Sequence, residues 1–296
     1  MPVVTLADRF WPVHAALLAW FDLDGRDLPW RHTREPWPIL VSELMLQQTQ
    51  VSRVIDRWPR FLVRFPTPAD CAAAPIADVI DEWSGLGYNR RAVNLHRAAV
   101  TVCDRHDGRV PTELADLLAL PGIGPYTARA VRVFAYEEDD GVLDTNVARV
   151  LARTAGRSLK PAAAQRLATE LVPHGDGWRW NQGLFDLGAA FCTSSNPVCA
   201  TCPVSSFCSW SIAGNPEPDP AIGSAGGSGK QSPFLGSDRQ GRGRLVKRLR
   251  AGALSRADVP SAMGWAEDVA RADRVLETLV SDGLVLVNGP LVSLPN

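Results

Sequence analysis

Apolar positions recur every three or four residues from about residue 8 to residue 212, and Pro59, Pro66, Pro75, Pro111 and Pro173 punctuate the pattern. That period puts apolar side chains on one face of successive helices, and proline breaks a helix because it lacks the N–H donor and crowds the preceding turn. Alternating, strand-like stretches are nearly absent, so the spacing predicts an all-α body over residues 1–212. Residues 213–233, AGNPEPDPAIGSAGGSGKQSP, are rich in Pro, Gly and Ser and lack an apolar stripe, which predicts a flexible linker. Beyond it, 239–281 reads as two or three short helices and GLVLVNGPLVSL (283–294) as a hairpin turning at Asn288-Gly289. Residues 234–296 are therefore expected to form a small winged-helix-like C-terminal module.

A chain of 296 residues fits about two domains at roughly 150 residues each. No apolar run approaches the roughly 18 residues that a membrane span needs. The start, MPVVTLADRF, lacks the basic and apolar stretches of a secretory signal, so a cytoplasmic protein is expected. In that compartment thiols stay reduced, and with four of the six Cys crowded into residues 192–208, metal ligation is a better reading than disulfides. The net charge of −1 speaks against a polyanion partner. Charge placement reopens that question, because all but three of the 31 basic residues are Arg, and Arg53, Arg57, Arg60 and Arg64 are spaced as one helical stripe.

The sharpest chemical signal is Cys192, Cys199, Cys202 and Cys208, a C-x6-C-x2-C-x5-C run. A four-Cys zinc site is the alternative, but such sites usually pair two C-x2-C knuckles some 15–20 residues apart. This spacing favours a [4Fe-4S] cluster. A second signal is Leu120-Pro121-Gly122-Ile123-Gly124 between two helical patterns. Read alone it is an ordinary helix–helix turn; read as a site, its glycines let backbone N–H groups face a phosphate at a helix start.

Asp144 opens a helical pattern twenty residues beyond Gly124, where an N-cap is the plain alternative. Glu43 lies inside the apolar run ILVSELMLQQTQV (39–51), where a carboxylate needs a reason. One carboxylate in an apolar setting that raises its pKa, with another left ionised near a helix N-terminus, is the equipment for cleaving a glycosidic bond.

Seven ordered segments carry a family resemblance: GRDLPWR (25–31), SELMLQQTQV (42–51), GLGYNRRAVNL (85–95), LPGIGPYTA (120–128), DTNVARV (144–150), NQGLFDLGAAFC (181–192) and the four-Cys run. Over residues 1–212 the chain resembles the MutY-type adenine DNA glycosylases of the helix-hairpin-helix, endonuclease III superfamily. The resemblance implies a two-lobed fold, with a helical barrel over about 28–136, a lobe from 1–27 plus 137–212 that carries the iron–sulfur loop, and DNA between them.

It implies a bacterial, nucleoid-associated, monomeric base excision repair enzyme that removes adenine mispaired with 8-oxoguanine or guanine in double-stranded DNA, with no membrane partner. In such enzymes Glu43 protonates adenine and activates water, Asp144 stabilises the sugar cation, and Tyr126 and Asn146 assist. Arg26, Trp30, Arg31, Leu46 and Asp186 form the adenine pocket. Gln48, Thr49, Leu86 and Tyr88 approach or enter the duplex, and Gly122 and Gly124 hold a phosphate, often beside a cation. Cys192, Cys199, Cys202 and Cys208 ligate the cluster.

Lyase members carry Lys at the position of Tyr126, whereas no Lys precedes residue 160, so a monofunctional glycosylase is expected. Asn89 stands where many relatives have a second aromatic, and residues 234–296 do not resemble the Nudix-like domain that relatives use to read 8-oxoguanine. The rivals are a thymine glycosylase, an endonuclease III-like lyase, and a non-catalytic DNA-binding iron–sulfur protein. The cluster Arg242, Arg244, Lys247, Arg248 and Arg250 reads either as phosphate contacts or as a solvated helix face, and Trp265 as the core of the module.

Overall fold

The computed structural model describes residues 6–225 and 233–295, with side chains from residue 12. Its helices are α1 (Leu6–Asp24), α2 (Pro36–Leu46), α3 (Val51–Ile55), α4 (Arg57–Arg64), α5 (Pro68–Ala73), α6 (Ile76–Glu82), α7 (Arg90–Arg105), α8 (Leu114–Ala119), α9 (Pro125–Tyr136), α10 (Thr145–Ala155), α11 (Pro161–Glu170), α12 (Gly177–Ala190), α13 (Ser209–Ile212), α14 (Asp238–Leu249), α15 (Val259–Met263) and α16 (Val269–Ser281). Strands β1 (Leu254–Ser255), β2 (Leu286–Asn288) and β3 (Leu291–Ser293) form one antiparallel sheet in the order β1-β3-β2. Among the described residues no helix is long and apolar enough to cross a membrane.

The chain divides into two units, one from residues 1–36 and 124–230, the other from 37–123 and 231–296. The first is built on α1, α10, α11 and α12, whose apolar faces supply Val13, Leu17, Val150, Leu151, Leu167 and Leu184 to one core. Trp180 is fully buried there, with its ring edge-on to His14 at 4.5 Å. α10 stops at Gly156, which takes the left-handed conformation (φ 65°) and closes the helix end. α12 passes close to the start of α10 because residue 188 is glycine: a Cβ there would lie 2.6 Å from that of Asn146.

The second unit joins two segments. In the first, α2–α8 enclose Leu40, Leu44, Met45, Phe61, Trp83, Leu95 and Leu117. Thr67 and Asp70 cap α5 reciprocally, which satisfies two backbone donors that a helix start leaves open. In the second, α14–α16 and the small sheet enclose Leu245, Leu249, Met263, Val275, Leu279 and Val292.

Arg250 ties the two segments of this unit together: its guanidinium donates to Ser84 Oγ and Ile80 O and pairs with Asp81. Arg90 pairs with Asp282 at 3.3 Å.

The helical body, the late helices and the hairpin match the pattern read from sequence, with these differences. Pro59 lies inside α4, in its first turn, where the missing N–H costs no helical bond. The arginine stripe is split, Arg53 on α3 and the other three on α4, because the chain re-caps at Asp56. Asn288 pairs with Leu291, so the hairpin turns at Gly289-Pro290, one residue later than expected. The units divide near residues 36 and 123, and α9 belongs with α10–α12 rather than with the earlier helices. Residues 213–225, expected as linker, are pinned: Asp219 takes an ion pair from buried Arg153, and Trp210 donates to Pro216 O at 2.8 Å. Residues 226–232 of the expected linker lie outside the described residues.

Within the late segment, Trp265 is half-buried against α14 rather than central. Gly241 admits its ring, and Arg271 stacks over it at 4.0 Å. The basic run is mostly engaged in structure: besides Arg250, Arg242 binds Asp282 and Thr278, and Arg244 reaches Met263 O.

Candidate active site and cysteine loop

In the first unit, Asp144 is the N-cap of α10. One carboxylate oxygen accepts from Val147 N–H at 2.7 Å and the other from Asn146 Nδ2 at 2.8 Å. Asn146 is itself oriented, because its Oδ1 accepts from Arg149 Nη2 at 2.7 Å. Burial pushes the Asp144 carboxyl above its usual range, against the opposing pull of these hydrogen bonds and of the Arg149 charge. The N-cap role is therefore present, in a carboxylate that is also buried and oriented by Asn146. Tyr126, in the first turn of α9, lies 6.3 Å from the Phe185 ring, centroid to centroid.

The motif 25–31 folds into a 3-10 turn, Pro29–His32, that buries Trp30 and Arg31. Asp186, from α12, holds it. Arg26 gives its backbone N–H (2.8 Å) and Nε (2.7 Å) to the carboxylate, and Arg31 gives both Nη groups at 2.8 Å. Burial pushes the Asp186 carboxyl up, but Arg31 and then Arg26 outweigh it and hold it below the usual range. Both oxygens being taken, Asp186 positions the two arginines instead of presenting a free acceptor. Gln182, not singled out from the sequence, accepts from Arg31 Nε at 2.8 Å.

In the second unit, Glu43 is buried in α2 among Leu40, Leu44 and Met45, and Leu46 is half-buried at the end of that helix. Gln48 and Tyr88 both take left-handed backbone conformations, φ 53° and 48°, unusual without glycine. The residue that fixes them is one that sequence reading passed over. Buried Arg91 donates Nη1 to the carbonyls of Leu44, Met45 and Gln47, and Nη2 to those of Leu86 and Gly87 and to Thr49 Oγ1. The guanidinium thereby caps α2 and joins the 47–49 turn to the 86–88 turn. Burial draws its pKa down to about 10, against the pull of Tyr88. Leu86 is buried and serves this turn from within.

At the glycine-rich turn, Gly122 has φ 78° and a Cβ there would strike Asn94 at 2.5 Å, so both conformation and space demand glycine. Gly124 is the extended N-cap of α9, with Pro125 at the first helical position. Nothing lies within 4 Å of where its Cβ would be, which leaves room for a close backbone approach.

Cys192, Cys199, Cys202 and Cys208 line one cavity in the first unit, walled by Val150, Leu187, Phe191, Val204 and Trp210. Arg153 donates to Cys192 Sγ at 3.3 Å and to Thr193 O at 2.8 Å. Among the described residues no three His, Cys, Asp or Glu side chains converge as they would on a single metal ion.

Residues 41–174 match the family model described as HhH-GPD superfamily base excision DNA repair protein. Among solved structures, a thermostable thymine-DNA glycosylase is 32% identical with TM-score 0.66, covering 69% of this chain and 97% of its own. An endonuclease III–DNA complex shares the fold at 21% identity and TM-score 0.61. Fold, turn and matches define a helix-hairpin-helix protein of base excision DNA repair.

The adenine DNA glycosylase of Mycobacterium tuberculosis is 43% identical over 280 residues, covering 91% of this chain and 88% of that protein. The human adenine DNA glycosylase is 38% identical over 65% of this chain. The chain belongs to the adenine DNA glycosylase family.

Proposed function

We propose that this chain is a monofunctional glycosylase that removes adenine lying opposite 8-oxoguanine or guanine in double-stranded DNA. The observation that carries the reading is Asp144, a carboxylate fixed at a helix start by Val147 and Asn146 in a chain 43% identical to an adenine DNA glycosylase. Glu43 gives a proton to adenine, which turns the base into a neutral leaving group as the bond from C1′ to the base breaks. Asp144, ionised, stabilises the positive charge left on the sugar. Glu43, now a carboxylate, takes a proton from the water that attacks C1′, and an abasic site and free adenine result.

Arg26, Trp30, Arg31 and Leu46 hold the extruded base, with Asp186 keeping the arginines in place. Gln48, Thr49 and Tyr88 engage the duplex where the base leaves it, and Gly122 and Gly124 grip a phosphate, with a cation beside them. Tyr126 stands where lyases have Lys, so no amine is available there for a Schiff base.

Four cysteines lining one apolar-walled cavity, one of them taking a hydrogen bond from Arg153, are a donor set that suits a polynuclear group. We assign Cys192, Cys199, Cys202 and Cys208 to a [4Fe-4S] cluster, which when bound supplies a rigid cross-link of the loop and a one-electron couple.

Single-turnover assays on duplexes with A opposite 8-oxoguanine, G or T, and T opposite G, test the reading. Adenine release from the first two, lost in Glu43→Gln and in Asp144→Asn, is expected. Thymine release instead would favour the second reading, which the thymine-DNA glycosylase structure supports. A borohydride-trapped adduct in high yield would overturn monofunctionality.

A further inference from the structure

Within the second unit, a cavity of about 600 Å³ opens where the late segment meets the early helices. Its wall on one side carries Gln48, Arg53, Tyr88 and Asn94, and on the other Phe234 and Arg239. The two sides touch through Arg239, which donates to the Tyr88 hydroxyl at 2.9 Å. Phe234 is 58% exposed, an aromatic ring held out in solvent just ahead of α14, and Tyr88 is 39% exposed. Arg53 is exposed and makes no ion pair among the described residues. Asp282, the acid on the wall, is already matched by Arg90 and Arg242.

The chemistry is that of a nucleotide site. Aromatic faces take a base by stacking, side-chain amides meet its polar edge, and guanidinium groups take the phosphate. A volume of this size lies in the usual range for a small-molecule site. We propose that this cavity receives one unstacked nucleotide of the bound DNA, and that the late segment supplies half of its walls, Phe234 for the base and Arg239 for the phosphate. Residues 234–295 are then part of the DNA-reading surface rather than an appendage. The proposal rests on the reading that Gln48 and Tyr88 meet the duplex.

The test uses the cluster-loaded full chain and duplexes carrying 2-aminopurine, in turn, at the position opposite the target adenine and at each neighbouring position. Unstacking raises the fluorescence of this base. One position is expected to brighten on binding wild-type protein, the gain falling several-fold in Phe234→Ala and returning in Phe234→Tyr. Arg239→Gln is expected to reduce the salt slope of DNA binding by about one, the loss of a single phosphate contact. If no position brightens, or brightening and salt slope are the same in the variants, the proposal is wrong. Adenine release from the same duplexes is scored separately: its absence in wild type sinks the adenine-excision reading, while the fluorescence decides the cavity.

Discussion

Arg91 donates Nη2 to Thr49 Oγ1 at 2.9 Å while the same guanidinium binds the carbonyls of Leu86 and Gly87. Two turns far apart in sequence, each with a non-glycine residue at positive φ, are thus held by one side chain. Hydrogen bonds to a charged group contribute about 1.5–3 kcal/mol each, and carbonyls left buried without a donor cost more than the mean. Arg91→Ala is expected to lose at least ~3 kcal/mol in urea unfolding. Arg91→Lys should recover only part of this, because an ammonium cannot address acceptors on both sides as a planar fork does. Equal stability of Arg91→Lys and wild type would show that charge alone suffices.

In the proposed mechanism Asp144 is expected to set the acid limb of the excision rate. Its pKa is raised in the folded protein, so the proton is held above the pH at which a free carboxyl loses it, and activity falls as pH drops through that raised value. Asn146→Ala removes a donor that favours the ionised form, and the limb should shift to higher pH. Asp144→Asn should abolish the limb and lower the single-turnover rate by about 10²–10³-fold. Linkage also fixes the stability sign: a carboxyl that binds its proton more tightly when folded loses stability as pH rises from the unfolded pKa to the folded one. Asp144→Asn, still able to cap α10, should be at least as stable as wild type at neutral pH. A limb unmoved by Asn146→Ala would sever the link between this carboxylate and the rate.

Asp186 carries the opposite sign. Its pKa is depressed by Arg31 and Arg26, so its ionised form stabilises the fold above the usual carboxylate pKa, and that contribution is lost as pH falls through the depressed value. Removing one partner of a buried ion pair costs about 3–5 kcal/mol. Asp186→Asn should show a deficit of that order at neutral pH, and the deficit should shrink in acid. A deficit constant across pH would mean that shape, not charge, is what the arginines need.

What was legible in the sequence was local. The paired glycines before α9 and the Asp ahead of α10 each announce themselves within a few residues, because tight turning and capping are short-range demands, and the equally local cysteine run lines a single cavity. The acceptors of Arg91 are backbone carbonyls from two distant turns, and no side-chain pattern marks a carbonyl as needing a donor. The basic run at 242–250 failed for the same reason: sequence shows the charges, but not that Asp282 and the end of α6 would take two of them. The position of Pro59 depended on where α4 starts, and periodicity does not separate a first turn from a helix interior.

Arg153 connects the cysteine loop to the segment that follows it. Almost fully buried, it donates Nη2 to Asp219 at 2.6 Å and Nη1 to Thr193 O and Cys192 Sγ, and it lies over the Trp210 ring at 4.9 Å. The segment 213–225 is thereby strapped across the loop that the assigned cluster would close. Asp219→Asn keeps the shape but weakens the charge-assisted pair, and it leaves the arginine partly uncompensated in a buried place. The expected result is a protein that still binds iron but releases it to a chelator several-fold faster and is cut sooner by protease within 213–225. Arg153→Lys should be more severe, since one ammonium cannot serve the carboxylate, the carbonyl and the sulfur together. Wild-type release and cleavage rates in both variants would mean that the strap is held by Trp210 and Pro216 and that the arginine is dispensable to the loop.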